Sequence, residues 1–521
     1  MSLPSINPTN TESWKLLLNH YKEIKNLAVQ DVFTKESNPA LNLTVEWQDF
    51  YLDYSKNRLT GETRKLLLDL AEEVKLKEAI EQQFEGKKIN ETEGRAVLHT
   101  ALRDFQNMKP EVEATLQKMK LFSEEVIDGT HKGFTGKPIT DIVNIGIGGS
   151  HLGPDMVVDA LKFYGNHLKI HFIANVDGDH VSETLKTLNP EITLFIVVSK
   201  SFTTQETLVN AKVVKDWFLT KAEPQDVQKH FVAVSVNIAA AEAFGISEKN
   251  IFPMQDWVGG RFSLWSSVGL SICCAVGYQN FEELLQGAFE MDKHFKSAEF
   301  DQNLPVILAL ISVWYNNFFE AETEAIVAYS QYLNKLVPYL QQAIMESNGK
   351  STDRNGNKIN YQTGTIVWGN VGTNSQHAYF QLLHQGTKLI PTDFIGFSES
   401  LNGNIGNHNI LMANFFAQTE ALWAGTYNQD VQNSFKTFDG CKPTNTLLIK
   451  KLTPKNLGSL IALYEHKLFA QGIIWNIFSY DQWGVELGKT VAKDTLSAIE
   501  NKDSGLMENE STQNLIKKFL E

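Results

Sequence analysis

Short apolar runs alternate with amphipathic stretches along the chain from Asp141 onward. This alternation is typical of parallel βαβ units. It predicts a first group of strands at 142–147, 170–174, 194–198 and 231–236, and a second group at 325–329, 365–368, 388–394 and 446–449. We therefore expect an α/β protein with two doubly wound parallel sheets.

The region before residue 131 has a different pattern, because its apolar residues recur at helical spacing. Thr11 and Thr60 stand at N-cap positions in front of two of these stretches. Further helical stretches are predicted at 261–278 and 305–319, between the two groups of strands. The segment 501–521 ends in an apolar helical pattern and is either an arm that packs on a neighbour or a loosely held tail.

These patterns divide the chain of 521 residues into four parts. We predict a helical N-terminal region at 1–130 that packs on the larger subdomain, a first α/β subdomain at 131–280, a second at 281–490 and a C-terminal helical arm at 491–521. A chain of this length is too long for one core, since domains usually hold about 100–200 residues.

Composition excludes several classes of partner. The formal net charge of −14 disfavours nucleic acid and anionic membranes. No apolar run approaches the roughly 20 residues that span a bilayer, and the N-terminus has no export-signal pattern. Cys273, Cys274 and Cys441 form neither a disulfide framework nor a metal-ligand spacing. We expect a cytoplasmic protein, whose few cations must be concentrated locally if it binds a phosphate ester.

Two strand-to-helix turns offer anion sites. After the strand at 142–147, Gly148-Gly149-Ser150 leads into a helix, although His151 stands where the dinucleotide fingerprint needs its third glycine. This turn is either a ligand site or a tight connection. After the strand at 194–198, the segment 199–204 brings four hydroxyls and Lys200 to one helix N-terminus. That set suits a phosphate dianion better than it suits N-capping alone.

Two further segments carry candidate chemistry. Arg261 directly follows two glycines, where it is either a structural arginine or a cation that stabilises charge on a substrate oxygen. Glu346 is in the last turn of a predicted helix that ends at 347–349, with Gln342 one turn earlier on the same face. The helix dipole disfavours negative charge at that end, which suits a general base working near neutral pH. The alternative is an ordinary surface glutamate.

Other motifs do not support metal or nucleotide binding. His377 and His384 are two turns apart on a predicted helix, too far for a helical zinc pair. Gly488-Lys489-Thr490 resembles a phosphate loop, but Gly484 is one position too close.

Taken together, these segments resemble the glucose-6-phosphate isomerase family. The resemblance rests on blocks that occur in order along the chain from about residue 90 to residue 489: 92–99, 146–150, 199–207, 258–265, 345–350, 372–386 and 480–489. It implies two sugar-isomerase (SIS-like) subdomains, a sugar phosphate substrate, a homodimer with a site completed by the partner chain, and no metal or coenzyme.

The resemblance also implies roles for single residues. Glu346 is the base that moves a proton between C2 and C1, and Arg261 stabilises the cis-enediol(ate) intermediate. His377, supplied by the neighbouring subunit, and Lys489 assist opening of the sugar ring. The expected substrate contacts are Gly149, Ser150, Ser199, Lys200, Ser201, Thr204, Gly260, Gln342 and Gln482.

Two positions depart from the family pattern. Ser201 stands where threonine is usual and keeps the hydroxyl, whereas His151 stands where aspartate is common and is expected to face solvent. Three alternatives stay open: a non-catalytic sugar-phosphate sensor, an isomerase of an amino-sugar or mannose phosphate, and an additional extracellular signalling role. A sensor has no need for Glu346, His377 and Lys489 together.

Overall fold

A computed structural model describes residues 3–27, 39–426 and 433–521. The chain divides into two compact units, Met1–Ser479 and Tyr480–Glu521. Both sheets belong to the first unit. Their strands are β1 Thr44–Trp47, β2 Phe50–Asp53, β3 Asp141–Ile145, β4 Lys169–Ile173, β5 Thr193–Val198, β6 Phe231–Val234, β7 Ile251–Phe252, β8 Thr323–Ala328, β9 Ile366–Val371, β10 Thr392–Phe397 and β11 Thr444–Ile449.

The first unit also contains α-helices before, between and after these strands. They are α1 Glu12–Ile24, α2 Pro39–Asn42, α3 Gly61–Glu73, α4 Leu76–Phe84, α5 Pro110–Ile127, α6 Leu152–Ala160, α7 Gly178–Lys186, α8 Gln205–Phe218, α9 Val227–His230, α10 Ile238–Phe244, α11 Leu270–Val276, α12 Tyr278–Ser297, α13 Leu304–Asn317, α14 Leu336–Leu340, α15 Phe380–Gln385, α16 Ile405–Ala424 and α17 Pro454–Ile474. A π-helical turn, Gln341–Glu346, continues α14.

The first sheet is parallel throughout, in the order β4-β3-β5-β6-β7. The strand order reverses between β3 and β5, since β4 lies on the outer side of β3 and the later strands on the other. All six residues of β5 are buried, as expected for a central parallel strand with both faces covered. Helices on both faces make this a doubly wound sheet, as the sequence predicts.

The second sheet has the order β1-β2-β11-β10-β8-β9. Its strands β8 to β11 are parallel, and an antiparallel hairpin, β1 and β2, pairs with β11 at one edge. The hydrophobic pattern does not predict this hairpin, because it indicates helices throughout the N-terminal region. The N-terminal region is therefore mainly helical but also extends the second sheet.

Most predicted elements agree with the structure to within a few residues. The predicted caps are confirmed: Thr11 accepts a hydrogen bond from the Trp14 backbone, and Thr60 forms a capping box with Thr63. The helix predicted over 261–278 is wrong in its first half, which forms two short 3₁₀ turns, Gly260–Phe262 and Ser267–Gly269, before α11.

The second unit contains two α-helices, α18 Glu486–Glu500 and α19 Glu510–Leu520. Asn509 caps α19 by accepting from the Thr512 backbone. Large apolar side chains on both helices, including Leu487 and Phe519, are exposed. Among the described residues of the whole chain, none of the helices combines the length and apolar character that crossing a bilayer requires.

Helix α17 runs through the core, and every residue of it except Lys455 is buried. Its charged side chains are therefore paired. Arg103 donates to both oxygens of Asp292 at 2.8 Å and to Glu465 at 3.0 Å. Trp265 also donates to Glu465, at 2.8 Å. The network connects α17 to the segment that carries Arg261.

The two carboxyls of this network differ in acidity. Although burial raises the pKa of Asp292, Arg103 and His466 together lower it to about 2. Burial raises the pKa of Glu465 to about 7, and Arg103 opposes this only in part. The difference is expected because one guanidinium cannot neutralise two buried carboxylates.

The raised pKa of Glu465 predicts a pH-dependent stability. Between its ordinary value of 4.5 and about 7, the folded state retains a proton that the unfolded state releases. Rising pH therefore lowers the free energy of unfolding, by up to about 1.4 kcal/mol per pH unit in this window. Glu465→Gln removes the titration but keeps an acceptor for Trp265. Denaturation curves measured at several pH values give the unfolding free energies of the wild type and the variant. We expect the difference, wild type minus variant, to fall from pH 5 to 7 and to stay constant above that. If the unfolding free energies of the two proteins changed in parallel with pH, this expectation would be contradicted.

Candidate active site

The candidate site lies at the carboxyl ends of β3 and β5. In open α/β sheets, ligands bind in the crevice outside the carboxyl ends of the strands where the strand order reverses. That reversal occurs between β3 and β5. Gly149 and Ser150 follow β3, and the hydroxyl-rich segment 199–204 follows β5. The topology thus brings the two predicted anion turns to the same crevice.

The turn after β5 leaves the N-terminus of α8 without a side-chain cap. Thr204 occupies the N-cap position but makes no capping hydrogen bond, and instead its Oγ1 accepts from Ser199 Oγ at 3.1 Å. Ser201 and Thr203 hydroxyls bond to each other at 2.6 Å and are exposed. The hydroxyls are therefore gathered at a positive helix end, an arrangement that favours an anion over the capping alternative.

Lys200 has a different environment from the one expected of a phosphate ligand. Its Nζ donates to the backbone oxygens of Asp256 at 2.9 Å and Val258 at 3.2 Å, and it lies 3.4 Å from the Asp256 carboxylate. Burial lowers the pKa of Lys200, and Asp256 opposes that effect. The Lys200 side chain therefore fastens the segment 256–258 to the turn after β5.

The turn after β3 packs directly on the Gly259-Gly260 segment. A Cβ atom added to Gly149 would lie 1.9 Å from the Gly260 carbonyl oxygen, so only glycine allows this approach. A Cβ added to Gly260 meets nothing within 4 Å. The contact between the two turns depends on Gly149, whereas Gly260 faces open space.

Arg261 and Glu346 form an ion pair, with NH1 3.2 Å from Oε2. The Arg261 side chain is 2% exposed and the Glu346 side chain 23%. Nε of Arg261 also donates to Ser347 Oγ, and NH2 donates to the Ser479 carbonyl, both at 2.7 Å. The guanidinium thus offsets the unfavourable helix dipole at Glu346 and is held in one orientation.

Glu346 is the last residue of the π-helical turn Gln341–Glu346. The helix continues for two more residues, 347 and 348, and then ends. Lys350 Nζ donates to the backbone oxygens of Glu346 at 3.0 Å and of Ser347 at 2.7 Å, and so caps this end. Gln342 lies beside the turn after β3, since a Cβ at Gly148 would be 3.1 Å from its Nε2. Its buried Oε1 has no hydrogen-bond partner among the described residues, which leaves an acceptor for a ligand hydroxyl.

The other predicted site residues are His377, Gln482 and Lys489. His377 ends the 3₁₀ helix Asn374–His377 and its side chain is exposed. Gln482 and Lys489 belong to the second unit, where Lys489 Nζ is 2.8 Å from Glu486. Their place in the site stays a prediction.

The sequence suggested that His151 faces solvent, but the structure shows a side chain that is largely covered. Its side chain is 23% exposed, with Nε2 3.5 Å from the Asp155 carboxylate and the ring tilted against Phe172. Lys335 contacts the same carboxylate at 2.6 Å. Sequence reasoning also gives no role to Ser347 and Asp256, because the side chains that they contact are far away along the chain.

Comparisons with known proteins identify the family of this chain. The family model described as "Phosphoglucose isomerase" matches residues 53–516. A glucose-6-phosphate isomerase from Christiangramia forsetii is 59% identical over 543 aligned residues, which cover 99% of this chain and all of that protein.

Two solved structures extend the likeness. A glucose-6-phosphate isomerase from Chlamydia trachomatis is 31% identical, with a TM-score of 0.88 over 99% of each chain. A hypothetical protein from Thermus thermophilus is 24% identical, with a TM-score of 0.62 over 84% of this chain and 95% of that one, and shares the fold. The match to the family model and the 59% identity to a relative over its full length show that the chain belongs to the phosphoglucose isomerase family.

Proposed function

We propose that this chain interconverts glucose 6-phosphate and fructose 6-phosphate by moving one proton between C2 and C1 of the open-chain sugar. The observation that carries the proposal is the Arg261–Glu346 pair beside the crevice between β3 and β5. A carbonyl compound loses an α-proton readily only when a base removes it and a cation stabilises the oxyanion that forms. This pair supplies both groups.

The roles that the family resemblance implies agree with the chemistry of the side chains. Glu346 removes the proton from C2 of the aldose, and the enediol(ate) oxygen receives stabilisation from the Arg261 guanidinium. Glu346 then returns the proton to C1 while the hydroxyl proton of the enediol(ate) passes from O2 to O1, which leaves a carbonyl at C2. One carboxylate thus serves as base and acid. His377 and Lys489 are assigned to ring opening, which must precede this step.

The phosphate anchor is the turn after β5. Ser199, Ser201 and Thr204 offer hydroxyls next to the N-terminus of α8, where backbone N–H groups favour an anion. We assign the side chain of Lys200 to holding the segment 256–258 in place. In this interpretation Lys200 contributes to phosphate binding through its backbone and its position rather than as a free ammonium.

The direct test is conversion of fructose 6-phosphate to glucose 6-phosphate by the purified protein, in a coupled assay with a metal chelator present. We expect activity that the chelator does not reduce. Mannose 6-phosphate and glucosamine 6-phosphate serve as alternative substrates. A folded protein that binds fructose 6-phosphate without converting it would support the sensor alternative. Faster turnover of mannose 6-phosphate or glucosamine 6-phosphate would identify that sugar phosphate as the substrate instead.

The same substitution is expected to have different effects at the two glycines of the crevice. Gly149→Ala forces the two turns apart, and we expect it to lower the free energy of unfolding by about 1–3 kcal/mol. Gly260→Ala meets no protein atom, so stability should change by less than about 0.5 kcal/mol while KM for the sugar phosphate rises. Denaturation curves and steady-state kinetics measure both. Equal destabilisation by the two variants would contradict the packing argument.

We also propose a homodimer in which His377 completes the partner's site. Two features support it. The His377 side chain is exposed in its own chain. The neighbouring helix α16, linked to α15 by the His384–Gln418 hydrogen bond, exposes Ile405, Ile410 and Phe416, and apolar patches of this kind mark protein interfaces.

Mixing two inactive variants tests the shared site. In a heterodimer of Glu346→Gln and His377→Ala chains, one site carries both substitutions and the other carries neither. Random exchange makes half of the dimers mixed, so we expect about a quarter of the wild-type activity to return. The matched control mixes Glu346→Gln with Arg261→Lys; because these residues act in the same site, no activity should return. Absence of recovery from exchanged dimers in the first mixture would place His377 in its own chain's site.

We propose the cytoplasm as the working compartment. Cys273 and Cys274 are buried free thiols. Unpaired cysteines are usual in reducing compartments. Cell fractionation with an antibody against the chain tests this assignment, and recovery in the medium would support the extracellular alternative.

A further inference from the structure

We propose that Ser347 is a positioning residue that sets the orientation of the Arg261 guanidinium toward the reacting sugar. The inference rests on the proposed function, since it assigns a role within that reaction. Ser347 is fully buried, so its hydroxyl acts through Arg261 and not by contact with substrate.

The hydroxyl is fixed by its own hydrogen bond. Ser347 Oγ donates to the Ala343 backbone oxygen at 2.6 Å. A hydroxyl has one proton to donate, so this bond directs its lone pairs away from Ala343. The Arg261 Nε–H group, 2.7 Å from Oγ, donates to one of those lone pairs.

Two anchors are enough to fix a planar group. Arg261 donates through Nε to Ser347 and through NH2 to the Ser479 carbonyl, both at 2.7 Å. With these two nitrogens held, NH1 is directed at Glu346, 3.2 Å away. The guanidinium therefore has its orientation before substrate binds, which is the preorganisation that electrostatic catalysis requires.

A second explanation competes with this one. In it, Ser347 is needed only because its bond to Ala343 stabilises the end of the π-helical turn. In that case its loss would lower stability and leave the turnover number of the folded enzyme unchanged. The two explanations differ in kcat and in how Ser347 couples to Arg261.

The test is a double-mutant cycle with Ser347→Ala and Arg261→Lys, assayed as fructose 6-phosphate conversion. A hydrogen bond to a charged group is worth about a tenfold to hundredfold change in rate. We expect Ser347→Ala to lower kcat by about that factor with KM nearly constant. Lysine has no Nε–H group facing Ser347, so adding Ser347→Ala to Arg261→Lys should change kcat less than about twofold.

Ser347→Cys keeps the shape with a weaker acceptor and should give an intermediate kcat. It also serves as the test variant if Ser347→Ala does not fold. Wild-type kcat in either folded variant, or independent losses that multiply in the double variant, would overturn the inference. An inactive wild-type protein would instead overturn the proposed function.

Discussion

Glu346→Gln should lower kcat for fructose 6-phosphate isomerisation by about 10²- to 10⁴-fold, the range that a general acid–base group contributes. The amide has the shape of the carboxylate, and its oxygen can still accept from Arg261 NH1, which lies 3.2 Å from Oε2 in the wild type. It has no basic oxygen to remove the C2 proton. We therefore expect KM and thermal stability to change little while turnover is lost.

Two measurements report loss of the base, while unchanged thermal stability shows that the fold is kept. The coupled assay gives kcat, and the incorporation of deuterium from D₂O at C2 of glucose 6-phosphate reports proton transfer itself. Both should fall together in Glu346→Gln. The control is Glu183→Gln, which changes an exposed glutamate paired with Lys186 on α7 and should behave as wild type. If Glu346→Gln retained exchange at the wild-type rate, the base would have to be another residue.

The sequence predicts the local parts of this site better than the contacts between them. The turns after β3 and β5 are recognisable because glycines and hydroxyls directly follow apolar strands. The bonds from Lys200 to Asp256 and from Arg261 to Ser347 join residues 56 and 86 positions apart. No local pattern encodes such pairs, since they form only when the sheet brings its loops together.

The hairpin shows the same limit at the level of the fold. β1 and β2 have only four residues each, and the turn between them places Gln48 at a φ of 51°. Two-residue hairpin turns are usually marked by Asn-Gly or Asp-Gly, and this one has Gln48-Asp49. The hairpin is held by pairing with β11, almost 400 residues later, so it cannot be recognised from its own residues.

Arg261→Lys should reduce kcat/KM by about 10²- to 10³-fold even though the positive charge is kept, which is the loss expected when a preorganised donor is removed. The three nitrogens of Arg261 reach three different groups: Ser347 Oγ, Glu346 Oε2 and the Ser479 carbonyl. A lysine has one nitrogen and cannot make these bonds from one position. Its ammonium would settle beside whichever acceptor is nearest, and the substrate oxygen would lose an oriented donor.

The size of this effect separates orientation from charge. If the field of a buried cation were sufficient, Arg261→Lys would retain kcat/KM within about threefold of wild type, because burial strengthens any nearby charge. The matched control is Arg64→Lys, a half-buried arginine paired with Asp301, where the same replacement should leave kinetics unchanged. Kinetics of both variants are compared at a temperature well below their melting points. A large loss confined to Arg261 would mean that the direction of the guanidinium donors, set by the groups around it, is what stabilises the enediolate.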